Sequence, residues 1–153
     1  MRLRLIWVGK TKNEHARALV EDYVGRLSRF CRAEVTELRE GSGASDRAVL
    51  EEEARRIMGA LSPGALTVLL DVEGQQFSSR ELAARLGGWL NGGVKEVAFV
   101  VGGHLGVTGE TKSRADLRWS LSRLTLTHEM ARVVASEQLY RAFTIVRGLP
   151  YQK

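Results

Sequence analysis

The sequence predicts one α/β domain, a mainly parallel sheet with helices on both faces. Three observations predict it. Short apolar runs alternate with segments of helical periodicity along the whole chain. Two of those runs, Ala65-Leu66-Thr67-Val68-Leu69-Leu70-Asp71 and Glu96-Val97-Ala98-Phe99-Val100-Val101, are almost continuously apolar, as strands buried on both faces are. The 153 residues suit a single domain, and no repeat, low-complexity stretch or linker divides residues 1–153.

The elements follow in order. Residues 3–8 read as a first strand ended by Gly9. Ala16, Leu19, Val20, Tyr23, Val24, Leu27 and Phe30 recur at helical spacing, so residues 13–30 form an amphipathic helix with Asn13 as N-cap. Residues 33–38 alternate and read as a strand. A Gly/Ser loop over 40–45 leads to a helix opened by Asp46 and running to about Ala60. After the turn Ser62-Pro63-Gly64, the apolar strand at 65–71 is broken by Gly74. Ser78 or Ser79 caps a helix to about Leu90, which Asn91-Gly92-Gly93 ends. The strand at 96–101 runs into Gly102-Gly103-His104-Leu105-Gly106. A short polar helix over about 110–117, a short strand at 119–122 and a long helix from Thr127 or His128 to Arg147 complete the chain, with Gly148 as the stop.

Composition closes several alternatives. Hydrophobic content of 44% with 27% charged is that of a folded globular chain. One cysteine, Cys31, makes an intramolecular disulfide framework or a cysteine metal cage impossible. No apolar run approaches the ~20 residues that span a bilayer, and Met1–Val8 is too short for a signal sequence. The chain is read as mature and cytoplasmic, without a membrane, a metal or DNA as partner. The formal net charge is +5. Residues 101–153 carry eight basic and four acidic side chains, so the last third holds +4 of it. Such a surface attracts polyanions, and a nucleic acid is one reading of it beside the blander one of simple solubility.

The strongest local signal is a strand followed by the glycine loop 102–106 and a polar helix. In open α/β sheets ligands bind beyond the carboxyl ends of strands, and glycine lets a ligand approach the backbone. The loop is neither a dinucleotide fingerprint nor a P-loop, and a mere chain reversal reads it as well. Leu70-Asp71 followed by Gly74 has the same form. On the last helix Glu137 and Arg141 stand four apart and can pair. Glu137 falls near the apolar stripe of Met130, Val133 and Val134, where a carboxylate needs a partner. His104 sits in the glycine loop, and no histidine pair has metal-ligand spacing.

Several motifs together carry a resemblance. These are Leu70-Asp71, Gly102-Gly103-x-x-Gly106, Trp119-Ser120-Leu121-Ser122, Leu124-Thr125-Leu126-Thr127-His128, Arg132-Val133-Val134 through Glu137-Gln138-Leu139-Tyr140-Arg141-Ala142, and the ending Pro150-Tyr151-Gln152-Lys153. In order and spacing they resemble the ribosomal RNA large-subunit methyltransferase H family of the SPOUT superfamily, over essentially the whole chain.

The resemblance implies an α/β sheet with a C-terminal trefoil knot, an obligate homodimer, and S-adenosylmethionine as methyl donor. The implied reaction is N3 methylation of a pseudouridine in large-subunit ribosomal RNA within the assembled ribosome. Carried over, the donor pocket uses Leu70, Gly103, Ser122, Arg123, Leu124, Thr125, Leu126 and Thr127. Glu137, Tyr140, Arg141 and Tyr151 lie at the target base, with Tyr151 reaching across the dimer. Arg132, Gln152 and Lys153 contact substrate. The family commonly has proline at the position of Thr127 and histidine at that of Gln152. A histidine could titrate near neutrality, whereas glutamine only hydrogen-bonds. A non-catalytic ribosome- or RNA-binding module of the same fold and a transfer-RNA methyltransferase are the alternative readings.

Overall fold

A computed structural model describes residues 1–152. Five parallel strands, β1 (Arg2–Val8), β2 (Arg32–Leu38), β3 (Leu66–Gln76), β4 (Glu96–Val101) and β5 (Leu117–Ser120), form one sheet in the order β2-β1-β4-β3-β5. Five helices connect them: α1 (Glu14–Leu27), α2 (Asp46–Ala60), α3 (Ser79–Asn91), α4 (Gly109–Arg114) and α5 (His128–Val146). A 3-10 turn at Pro150–Gln152 follows.

Strand period two splits the sheet into two apolar faces. Leu3, Leu5, Trp7, Val68, Val97, Phe99 and Val101 point to one side and pack on α1, α3 and α5. Ile6, Val8, Leu69, Ala98 and Val100 point to the other, against Ile57 of α2 and Val107 and Ala115 beside α4. Helices therefore cover both faces, as the buried strands require. Phe99, on the central strand, is fully buried with its ring 6.0 Å from Trp119 and 6.3 Å from Trp89.

Each helix begins on an N-cap whose side chain accepts backbone N–H groups: Asn13, Ser45, Ser78, Thr108 and Thr127. Ser78 and Glu81 complete a reciprocal capping box. At the amino ends of β1, β2 and β4, Arg2 and Arg4 pair with Glu34 and Glu96. This network lies at the end of the sheet away from the glycine loop.

Four boundaries differ from the sequence expectation. The first helix stops at Leu27 rather than Phe30, with Cys31 N–H closing onto the Leu27 carbonyl. The polar helix is shorter, and β5 starts two residues earlier, at Leu117. Gly74 does not end β3. The strand continues to Gln76 through a register shift between Leu70 and Gln75. A Cβ at Gly74 would fall 2.6 Å from the backbone carbon and oxygen of Arg118, so glycine is needed there for β5 to approach.

Candidate active site

The carboxyl ends of β3, β4 and β5 open into a cavity of about 360 Å3. Its walls come from three segments. Leu70, Asp71 and Val72 follow the apolar part of β3. Val101, Gly102, Gly103, Leu105, Gly106 and Val107 form the loop after β4. Leu121, Ser122, Leu124, Thr125 and Leu126 form the loop between β5 and α5, and His128 and Ala131 close the side. Gly106 takes φ +84° and pairs with Gly103 in an isolated antiparallel bridge, so the loop doubles back on itself.

Six of the eight residues assigned to a donor pocket from sequence line this cavity: Leu70, Gly103, Ser122, Leu124, Thr125 and Leu126. Arg123 is exposed outside it. Thr127 instead N-caps α5, its hydroxyl accepting from Met130 N–H at 3.2 Å. A Cβ built at Gly103 would fall 2.7 Å from Glu53 Oε2.

Asp71 stands on the cavity wall with its side chain only 6% exposed. Arg118 Nη1 donates to Asp71 Oδ2 at 3.3 Å, and Lys112 Nζ lies 3.6 Å from the same oxygen. Lys112 is also held by Glu73 at 3.0 Å, a contact that raises its pKa. His128 has its pKa lowered, first by burial and then by Arg132.

The residues expected at the target base form a second cluster, on α5 and the tail. Glu137 Oε1 accepts from Arg141 Nε at 3.0 Å, from Arg141 Nη2 at 2.6 Å and from the Tyr151 hydroxyl at 3.1 Å. Gln138 Nε2 donates to Glu137 Oε2 at 2.7 Å. Tyr151 meets Tyr140 edge-on at 4.7 Å, and its hydroxyl lies 3.3 Å from that of Tyr23. Burial, first, and these hydrogen bonds hold the Tyr151 phenol protonated well above its ordinary range. Within its own chain Tyr151 docks on α5. Arg141 also borders an open cavity of about 480 Å3 with Ser78, Ser79 and Arg80.

Arg132 needs correcting. It was expected to contact substrate, but it is 0% exposed. Its guanidinium donates to the Val8 carbonyl at 2.6 Å and to Thr11 Oγ1 at 2.9 Å, and lies over the Trp7 ring. It fastens α5 to the end of β1. Glu129 does the same from the surface, accepting from the N–H groups of Lys12 and Asn13. Gln152 ends the 3-10 turn, and Lys153 lies outside the described residues.

The two clusters are separate on one chain. Arg141 is ten residues beyond Ala131, about 15 Å further along the helix axis. The residue that sequence reasoning missed is Glu53. Its signal was its place on the α2 stripe Val49, Glu53, Ile57, a carboxylate four residues from apolar neighbours on each side.

Comparison with known proteins gives the class and then the family. Two solved structures share the fold. One is described as a probable methyltransferase from Bordetella pertussis Tohama I, with TM-score 0.55 and 18% identity over 92% of this chain and 95% of that one. The other is a probable methylase family protein from Haemophilus influenzae Rd KW20, with TM-score 0.54 and 13% identity over 99% of this chain and 70% of that one. A family model described as "Predicted SPOUT methyltransferase" matches residues 1–152, and the chain belongs to that family. Among its relatives are proteins named Ribosomal RNA large subunit methyltransferase H. That of Geotalea daltonii is 43% identical over 99% of both chains. That of Acetivibrio thermocellus is 39% identical over 100% of both. That of Gloeobacter violaceus is 43% identical over 99% of this chain and 98% of its own.

Proposed function

We propose that this chain is an S-adenosylmethionine-dependent methyltransferase of large-subunit ribosomal RNA that methylates N3 of a pseudouridine in the assembled ribosome, working as a cytoplasmic homodimer. The observation that carries the reading is the glycine-lined cavity at the carboxyl ends of β3, β4 and β5, in a chain alike over its full length to proteins of that name.

The cavity suits a nucleoside-bearing donor. Its volume of about 360 Å3 is within the range of small-ligand sites. Leu70, Leu105, Trp119, Leu121 and Leu126 offer apolar faces to a purine. The backbone of the loops 102–106 and 121–126 offers polar groups, and Asp71 sets a carboxylate beside a cationic ligand. Bound there, S-adenosylmethionine supplies an electrophilic methyl group. The reading includes the family's C-terminal trefoil knot.

The cluster of Glu137, Tyr140, Arg141 and Tyr151 is the substrate side. In the transfer the N3–methyl bond would form as the donor's sulfur–methyl bond breaks, and the weakly acidic N3 proton would be released to solvent, so negative charge develops on the base as that proton leaves. Arg141, fixed by two hydrogen bonds to Glu137, is a preorganised cation for that charge. Glu137 accepts four hydrogen bonds in all and is a holder of Arg141 and Tyr151 rather than a free base. The separation of the two clusters supports a dimer in which one protomer's cluster faces the donor cavity of its partner. Exposed Val72, Leu124 and Met130 beside the cavity give a second protomer apolar surface to cover. Arg80 beside Arg141, with Gln152 and Lys153 in the tail, would meet the RNA.

The test is transfer of labelled methyl from S-adenosylmethionine to intact ribosomes, free ribosomal RNA and transfer RNA, with Gln152→His run alongside. The reading expects one labelled pseudouridine in intact ribosomes and a faster reaction for Gln152→His. Binding to ribosomes without transfer would favour a non-catalytic module, and label in transfer RNA the other alternative.

A further inference from the structure

Glu53 is the most buried acidic residue among those described, at 2% exposure, and nothing in the reaction just proposed uses it. It projects from the inner face of α2. Its Oε1 accepts from the Gly41 N–H at 2.9 Å, in the loop after β2. Its Oε2 has no hydrogen-bond partner among the described residues. A buried carboxylate oxygen left unpaired is costly, so some other requirement keeps it.

The requirement is visible in what Oε2 touches. A Cβ built on Gly103 would lie 2.7 Å from Oε2 and 3.3 Å from both Cδ and Oε1. The carboxylate therefore lies against the Cα of Gly103, and Glu53 is not among the residues that line the cavity. Glu53 is long and flexible in isolation, but here its other oxygen is tied to Gly41. Moving it away from Gly103 breaks that bond in a closely packed interior. The neighbouring stretch is stapled to α2 as well: Ser42 N–H donates to Glu52, and Arg56 donates to the carbonyls of Arg39 and Glu40. Glu53 thus stands on a fixed base and reaches the glycine loop.

We propose that Glu53 is a positioning residue of the donor pocket: its carboxylate, anchored at Gly41, is the wall against which the loop 102–106 is set, and this wall, rather than the donor, requires glycine at 103. The proposal rests on the reading of the cavity as the donor site. It makes α2 and the loop after β2 part of the donor-binding unit, although neither lines the cavity.

The experiment is a double-mutant cycle read as S-adenosylmethionine affinity by calorimetry, with Tm followed as a measure of folding. On the wild-type background Gly103→Ala should weaken binding by about tenfold or more, because the methyl overpacks against a fixed carboxylate. On the Glu53→Ala background the same substitution should cost less than about twofold, since the space is free. Glu53→Gln keeps the volume and the acceptor for Gly41. It should bind the donor within about threefold of wild type and keep the full Gly103→Ala penalty. If Glu53→Ala folds too poorly to measure, Glu53→Asp withdraws the carboxylate by about 1.5 Å and must relieve Gly103→Ala in the same sense. An equal Gly103→Ala penalty on the relieved and wild-type backgrounds would overturn the proposal, placing the alanine methyl against the donor itself. Wild-type protein that binds no donor at millimolar concentration would overturn the donor reading and the proposal with it.

Discussion

Tyr151 lies beneath Arg141, its ring centroid 4.8 Å from the guanidinium carbon, and gives its hydroxyl to the carboxylate oxygen that Arg141 also grips. Two side chains are thus organised by one oxygen of Glu137, and the 3-10 turn at Pro150–Gln152 joins the same unit as the helix. Arg141→Ala should abolish methyl transfer while leaving S-adenosylmethionine affinity within about threefold, because the donor cavity lies near the other end of α5. Arg141→Lys should restore little, since an ammonium cannot make the two-point contact. Single-turnover transfer and calorimetry on the same preparations check this. Parallel loss of both functions would make Arg141 a structural residue.

Removing the Tyr151 hydroxyl separates the tail from Glu137 and Tyr23. Tyr151→Phe should lose about 0.5–1.5 kcal/mol. The pH dependence has a definite sign. The folded-state pKa of Tyr151 is raised above its ordinary 10.0, so its stabilising contribution is complete below that value and is lost as pH rises beyond it. Melting curves taken above pH 10 should therefore converge for wild type and Tyr151→Phe, whereas at neutral pH they differ. A constant difference across the alkaline range would contradict the contact.

The proposed donor is a sulfonium cation, and Asp71 holds Lys112 and Arg118 at the edge of the cavity proposed for it. Asp71→Asn takes the carboxylate partner from Arg118 and leaves Lys112 with Glu73 alone. S-adenosylmethionine should bind about three- to tenfold more weakly, and added salt should recover part of the loss. Calorimetry at two ionic strengths measures both effects. Unchanged affinity would mean that Asp71 serves only to join β3, β5 and α4.

His128 borders the same cavity, and burial, followed by Arg132, holds its pKa below 6.5, with a smaller contribution from His104 and opposition from Glu129 and Glu40. A depressed pKa means that the neutral ring is favoured in the fold. Its contribution is present above pH 6.5 and is lost as pH falls through the lower folded value. The decline of Tm between about pH 7 and pH 5 should be shallower for His128→Gln than for wild type. Identical slopes would remove His128 from the acid response.

The parts of the fold that were legible came from local rules. Buried strands read as continuous apolar runs, and Asn13 and Ser78 read as caps, because those patterns depend on a few neighbouring residues. Strand order did not, since β3 and β4 become neighbours only through tertiary packing. Gly74 was misread because glycine marks both a strand end and a close backbone approach, and only the position of Arg118 decides between them. The lining of the cavity was legible through the resemblance, down to Leu70, Gly103 and four residues of the loop 122–126. Arg132 was misplaced because nothing in the sequence shows the buried seat that the carbonyl of Val8 and the hydroxyl of Thr11 make for it. Glu53 was invisible within Glu51-Glu52-Glu53 until the helix phase put the third of them inward.

Methyl transfer to purified ribosomes tests the central claim most directly. Labelled S-adenosylmethionine should place a single methyl group on N3 of one pseudouridine in the large-subunit RNA of intact particles, and far less on free RNA. No incorporation into ribosomes lacking the modification, or label confined to transfer RNA, would contradict it.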